Sequence, residues 1–312
     1  MLKIAFKSFV SVLLLTNIIS CAESFDAPKS GPDELIVTKV DDDLNTGVDE
    51  RVIYGDDDRK NLYEVTQSAV RKAADSTVAL IRSEALTPNN PLQFLLPNES
   101  FGKSHLLCTS ENFYSEPAAA FCSGSMVGNN LILTAGHCIA TAEDCASVRF
   151  VFGYALKKAG GYPLSTPSSE VYSCKKVLAY KQERAGADYA LIELDRKVTG
   201  HVPLKLQRTS TVKVGDALTV IGHPSGLPTK IAAGGVVRKV KSGHFVSNLD
   251  TYGGNSGSAV FNSRTLEVVG ILVRGDTDFV SENHCAVSKR CSATGCRGED
   301  VTRIEPILSL IR

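Results

Sequence analysis

From about residue 77 onward the chain is a succession of short apolar or β-branched runs. They read TVALI (77–81), NLILTA (130–135), VRFVFGYAL (148–156), VYSCKKVLAY (171–180), YALIEL (189–194) and ALTVIG (217–222). KIAAGGVVRKV (230–240), HFVSNL (244–249), SAVF (258–261) and EVVGILV (267–273) follow. Gly, Pro, Asn and Asp punctuate them. Many short strands separated by turn residues predict an all-β sandwich or barrel. Helix–strand alternation is absent, which argues against a parallel α/β sheet. One short helix is expected over LYEVTQSAVRKAA (62–74). At 312 residues, the chain has room for one large β domain or two smaller ones.

The N-terminal part breaks this pattern. Lys3 and Lys7 precede the apolar run FVSVLLLTNII, which has signal-peptide length and is short for a bilayer span. It ends in IISC, which resembles the bacterial lipoprotein box. Residues 1–21 are therefore expected to be a lipoprotein-type signal peptide, with Cys21 lipidated at the mature N-terminus. An ordinary signal peptide cut after Ala22 is the alternative. Residues 22–51 are acidic, carry Pro and Gly and have Phe25 as their one aromatic side chain. They are expected to form a tether or pro-segment rather than core. The expected location is the bacterial cell envelope, lipid-anchored to a membrane, or the exterior if the anchor is removed.

The 34 basic and 34 acidic residues balance, so no basic stripe points to nucleic acid as a partner. Of nine cysteines, setting Cys21 aside leaves eight. An even number in an exported chain implies disulfides. No C-x-x-C pair is present, so neither a zinc site nor any cofactor is expected.

Three segments carry candidate chemistry. In TYGGNSGSAV (251–260) Ser256 sits among glycines. Alone, this is either a hairpin turn or a cradle for a nucleophile. NLILTAGHC places His137 directly after a strand. Cys122 and Cys138 bracket that segment, and VGNNLIL reads as a hairpin with an Asn-Asn turn. A Cys122–Cys138 disulfide would pin the hairpin and fix where His137 points, which a catalytic base requires. In GADYALIELDR, Asp188 opens an apolar strand. Buried there, it would need a partner, and a histidine Nδ1–H is a suitable one. Asp144 and Asp195 are rivals in more polar, surface-like contexts.

LTAGHC, DYALIEL and GGNSGSAV, in the order His, Asp, Ser and spaced by 51 and 68 residues, together resemble the trypsin-like serine proteases. The resemblance is nearest the bacterial branch that includes the glutamyl endopeptidases. VIYGDDDR and IGHPSGLP add to it, and it runs from about Val52 to Val273. It implies two six-stranded antiparallel β-barrels, a chymotrypsin-like double barrel with few short helices, over residues 52–312. It also implies a serine endopeptidase acting on polypeptide substrates. Ser256 would be the nucleophile, His137 the base and Asp188 the orienting acid. The backbone N–H groups of Gly254 and Ser256 would form the oxyanion hole. Cys145 is expected to pair with Cys174. Cys108 should pair with one of Cys285, Cys291 and Cys296, the other two joining each other.

The chain departs from the family at three points. Asn255 precedes the nucleophile where the digestive branch carries an acid that pairs with a new N-terminus, so that switch is not expected. ERVIYG still resembles a processing junction near Arg51. Thr251 matches a substrate-glutamate contact of the glutamyl endopeptidases, but Leu272 stands where their histidine is expected. Asp250 instead occupies the offset at which an acid floors a Lys/Arg pocket. Arg274 could pair with it and leave a neutral pocket, or face an acidic substrate itself. A catalytically silent, protease-like binding protein is the reading from another class, and retention of all three triad residues weighs against it. An esterase of the α/β-hydrolase type would need G-x-S-x-G ahead of its histidine, which GNSGS does not provide.

Overall fold

Two closed antiparallel barrels of six strands each organise the molecule. In this computed structural model the described residues are 52–311. Cys21, the acidic segment and the Arg51 junction lie outside them. The first barrel comprises β1 (Thr77–Arg82), β2 (Cys122–Gly128), β3 (Leu131–Thr134), β4 (Val148–Phe152), β5 (Val171–Gln182) and β6 (Asp188–Leu194). Its strand order is β5-β6-β3-β2-β1-β4, and β4 closes on β5. The second comprises β7 (Ala217–Gly222), β8 (Lys230–Val240), β9 (His244–Ser247), β10 (Ala259–Asn262), β11 (Val268–Arg274) and β12 (Glu299–Arg303). Its order is β7-β10-β11-β12-β9-β8, closed by β7 on β8.

The expected double barrel is thus present, and its strands follow the sequence runs. The Asn129–Asn130 turn joins β2 to β3. Val78, Leu80, Ile132, Phe150 and Phe152 are fully buried in the first barrel's cluster. Val220, Phe245, Val260, Leu272 and Val301 belong to that of the second. Ile221, Ala259, Phe261 and Ile271, from the second barrel, join the first cluster. The two barrels therefore share a continuous apolar contact.

Two local expectations need correction. The helix expected over 62–74 is split into a 3-10 turn, Leu62–Glu64, and a helix, Ser68–Asp75. Val65, at the end of the turn, is extended. Two successive β-branched residues, Val65 and Thr66, disfavour helix there. Strand β12 matches none of the apolar runs. Its sequence, EDVTR, reads as surface, yet Glu299 through Thr302 are all buried.

Four disulfides brace the loops: Cys122–Cys138, Cys145–Cys174, Cys108–Cys285 and Cys291–Cys296. The Cys122–Cys138 bridge, spanning 16 residues, locks the β2–β3 hairpin to the turn that carries His137.

An N-terminal arm is bound against the second barrel. Ile53–Tyr54 pairs in parallel with Arg290–Cys291, and Arg59–Asn61 pairs with Lys230–Ala232 of β8. Polar anchors hold it. Asp250 accepts from the Tyr54 amide at 2.7 Å and the Asp58 amide at 3.0 Å. Buried Arg59 bonds Asp57 and the Tyr252 hydroxyl and lies 3.8 Å over the Tyr252 ring. Lys230 donates to Asn61 and Glu116. Burial, and then the charge of neighbouring Asp250, pushes the Asp58 carboxyl up to about 8. Burial raises Asp250 as well.

Two expectations follow. Replacing both Cys122 and Cys138 by Ala should cost roughly 3 kcal/mol, lowering the melting temperature by roughly 5–10 °C in non-reducing thermal unfolding. The second concerns pH. Asp58 binds its proton more tightly in the folded state than in the unfolded one, where its pKa is about 4. Its contribution is fully present below that value and is lost as pH rises through about 8. Asp58→Asn should melt with wild type near pH 4 and increasingly above it toward pH 8. Parallel melting curves at every pH would contradict the buried carboxyl pair.

Candidate active site

The site forms where β3, β6 and the turn before β10 meet. Strand β3 ends at Thr134, and a 3-10 turn, Gly136–Cys138, presents His137 at the edge of the first barrel. Asp188 opens β6 and is 2% exposed. A carboxylate this buried needs several donors, and it has them. Its Oδ1 accepts from the Gly136 amide at 2.6 Å and the His137 amide at 3.1 Å. Its Oδ2 meets His137 Nδ1 at 2.8 Å. With Nδ1 donating, the imidazole is held in the tautomer that leaves Nε2 as an acceptor. The rivals lie elsewhere: Asp144 caps the helix Ala142–Ser147, and Asp195 is exposed and bonded by Arg196.

The second barrel clamps Asp188 from behind. Thr302 Oγ1 accepts from the Asp188 amide at 3.0 Å and lies 3.1 Å from its carbonyl. Arg274 Nη1 lies 3.6 Å from Asp188 Oδ2, and its Nε bonds Asp300 at 3.3 Å. Arg297 also bonds Asp300, at 2.6 Å. Arg274 is therefore not the partner of Asp250, correcting that expectation. It bonds Asp300 and the carbonyls of Glu183 and Gly186, and its charge lies beside Asp188. Asp250 is likewise not an open pocket floor, because amides of the arm fill both its oxygens.

The turn carrying Ser256 is wedged against the first barrel. The Ser123 amide donates to the Ser256 carbonyl at 2.8 Å, and Ser123 Oγ donates to the Gly254 carbonyl at 2.9 Å. Inside the turn, the amides of Asn255, Gly257 and Ser258 bond the carbonyls of Tyr252, Leu272 and Asn255. Asn255 Oδ1 accepts from the Ser258 hydroxyl at 3.0 Å. Two glycines are needed for shape. Gly254 has φ +81° and Gly257 +86°, a region where a side chain is strained. A Cβ at Gly257 would also lie 2.1 Å from the Ser123 carbonyl. His223, of the IGHPSGLP segment, closes the far side. It is fully buried, its Nδ1 lies 3.0 Å from the Leu227 carbonyl, and burial lowers its pKa to about 4.

Thr251 Oγ1 donates to Glu299 at 2.8 Å, and Leu272 is buried in the core of the second barrel. Ser123, Thr302, Asp300 and Glu299 escaped the sequence reading. The last three lie on β12, whose charged sequence hides it. The one signal for them is the alternation of Glu299, Val301 and Arg303 against Asp300 and Thr302. Cys122, His137 and Cys138 bring candidate ligand atoms within 4.8 Å of one another. The two sulfurs are joined as a disulfide, however, and offer no thiolate to a metal.

Comparison with known proteins agrees with this geometry. Residues 122–271 match a family model described as "Trypsin-like peptidase domain". Over 152 residues the chain is 31% identical to a glutamyl endopeptidase of Bacillus licheniformis, covering 46% of this chain and 47% of the relative. The chain thus spans about half the length of that curated relative. A solved structure titled "Structure of Glu endopeptidase in complex with MPD" superposes with a TM-score of 0.50 at 17% identity. That superposition covers 83% of this chain and 97% of the other. By barrel topology, by the ordering of its three motifs and by these likenesses, the described domain has the chymotrypsin fold of the trypsin-like serine proteases and resembles the glutamyl endopeptidases.

Proposed function

We propose that the protein is a serine endopeptidase that cleaves polypeptides through His137, Asp188 and Ser256. The observation that carries this reading is the His137 Nδ1–Asp188 bond at 2.8 Å, made by an acid whose other oxygen is filled by two amides. Ser256 Oγ attacks the scissile carbonyl while His137 Nε2 takes its proton. The carbon–nitrogen bond then breaks, and His137 returns the proton to the leaving amine. Water, deprotonated by the same imidazole, hydrolyses the acyl-enzyme. Asp188 orients the ring and stabilises its charged form. The Gly254 and Ser256 amides receive the oxyanion, each donor being worth roughly 10²–10³ in rate.

A preference for acidic residues, which the relative's name suggests, has the Thr251 match in sequence, but that hydroxyl donates to Glu299. It lacks its other element, since Leu272 stands where the resemblance expects histidine. We also propose export of the chain and lipidation of Cys21, on the signal and IISC motifs.

Ser256→Ala should lower peptide turnover by roughly 10⁶-fold, and His137→Ala by a similar factor, because the residues act as a unit. A fluorogenic peptide assay with both variants checks this. Retention of a tenth of wild-type turnover by Ser256→Ala would refute the assignment, and a wild-type chain inert to a serine titrant would favour the silent binding protein. Cys21→Ser should abolish incorporation of labelled fatty acid, and labelling that survives the change rules that site out.

A further inference from the structure

Buried cations near the N-terminal arm are matched one to one: Asp57 holds Arg59, and Glu116 holds Lys230. Behind Asp188 the charges do not cancel in this way. Arg274, at the end of β11, and Arg297, just ahead of β12, both bond the one buried carboxylate of Asp300. His244 Nε2, on β9, lies 3.6 Å from that carboxylate. Burial lowers the His244 pKa, against the pull of Asp300 and together with the cations of Lys241, Arg274 and Arg297, so this imidazole is neutral at neutral pH. Two guanidiniums against one carboxylate leave one positive charge over. Arg274 brings it to 3.6 Å from Asp188 Oδ2, the oxygen that His137 Nδ1 meets. Arg274 also holds backbone. Its Nη1 and Nη2 donate to the carbonyls of Glu183 and Gly186 at 3.2 and 2.8 Å, in the loop that leads into Asp188.

Resting on the serine endopeptidase reading, we propose that Arg274 is a positioning residue with two separable actions. Its fork fixes the loop that delivers Asp188, and its charge tempers the hold of Asp188 on a protonated His137. The fork needs planar, multidentate geometry, which lysine lacks. The charge needs only a cation, which lysine supplies. A positive charge beside Asp188 opposes a positive charge on the imidazole. The neutral ring, the form that takes a proton from Ser256, therefore persists to lower pH. Asp188 and Arg274 are the charged groups that face His137 from β6 and β11. Asp300 and Arg297 stand behind Arg274. The Lys181–Glu183 pair at the end of β5 is exposed and self-compensating, and Asp144 is engaged in its own helix cap. The Cys122 and Cys138 sulfurs, joined as a disulfide, do not titrate.

The experiment measures kcat and KM against pH on the best substrate of a fluorogenic peptide library. A small organofluorophosphate counts the active serine of each variant in parallel. Arg274→Gln should lower kcat about tenfold or more and leave KM within about twofold of wild type. It should also move the acid limb of kcat/KM up by about half a pH unit, since that limb reports the base of the free enzyme. Arg274→Lys should lose a similar part of kcat yet keep the wild-type limb. Asp300→Asn, which leaves both guanidiniums uncompensated, should move the limb down. A limb that stays put in labelled Arg274→Gln, or that moves as far in Arg274→Lys, overturns the proposal. So does a raised KM at unchanged kcat, which would make Arg274 a substrate contact. Should Arg274→Gln fail to fold, Asp300→Asn decides, and an upward or absent shift there overturns the proposal. Absence of labelling in wild type overturns the protease reading and this one with it.

Discussion

The Asp188 carboxylate is the constraint around which the site is built. An ionised acid removed from water is tolerated only if donors replace its hydration. Here the donors are two consecutive amides and an imidazole from one short turn. That turn must leave β3 with its amides aimed at the start of β6, so His137 has little freedom once Asp188 is satisfied. Hydrogen bonds to a charged group are worth roughly 1.5–3 kcal/mol each. Together they fix the ring more tightly than packing around a half-buried imidazole would. The Cys122–Cys138 bridge acts in the same direction, since it ties that turn to β2.

Asp188 also links the barrels. Thr302 brackets its backbone from the second barrel, and Ser123 of the first barrel grips the turn of the second that carries Ser256. Each barrel thus holds part of the other's contribution to the site. A Cβ at Gly257 would force the two apart at the Ser123 carbonyl. The apolar contact between the barrels is continuous, and these few polar contacts fix how the turn carrying Ser256 sits against the first barrel.

What the sequence made legible follows from which residues obey their local pattern. Ten runs of apolar or β-branched residues mark strands because burial and strand formation ask for the same side chains. The β2–β3 hairpin is legible from its asparagines, and the His137–Asp188 pair from motifs set in strand-and-turn context. Arg274 is one candidate partner for Asp250 in the sequence because both belong near Ser256. Linear offsets, however, say nothing of a competing ligand, and the amides of Tyr54 and Asp58 come from nearly 200 residues away. EDVTR escaped notice for a related reason. Its acids are buried by partners on other strands and on the 251 segment, so composition alone marks it as surface.

That strand shows how alternation separates two roles within four residues. Asp300 and Thr302 project toward Asp188 and Arg274, while Glu299 and Val301 project toward Thr251 and the barrel interior. A slip of one residue in the pairing of β12 with β9 and β11 would exchange the two faces. It would take Thr302 out of its place and remove the hydroxyl that brackets the Asp188 backbone. The pairing Leu272 with Val301 and Arg274 with Asp300 prevents this. An apolar residue then fills the core at the same step that a cation–anion pair forms on the opposite face. Register here is set by both faces at once, which is how a strand with a polar sequence can occupy the interior without ambiguity.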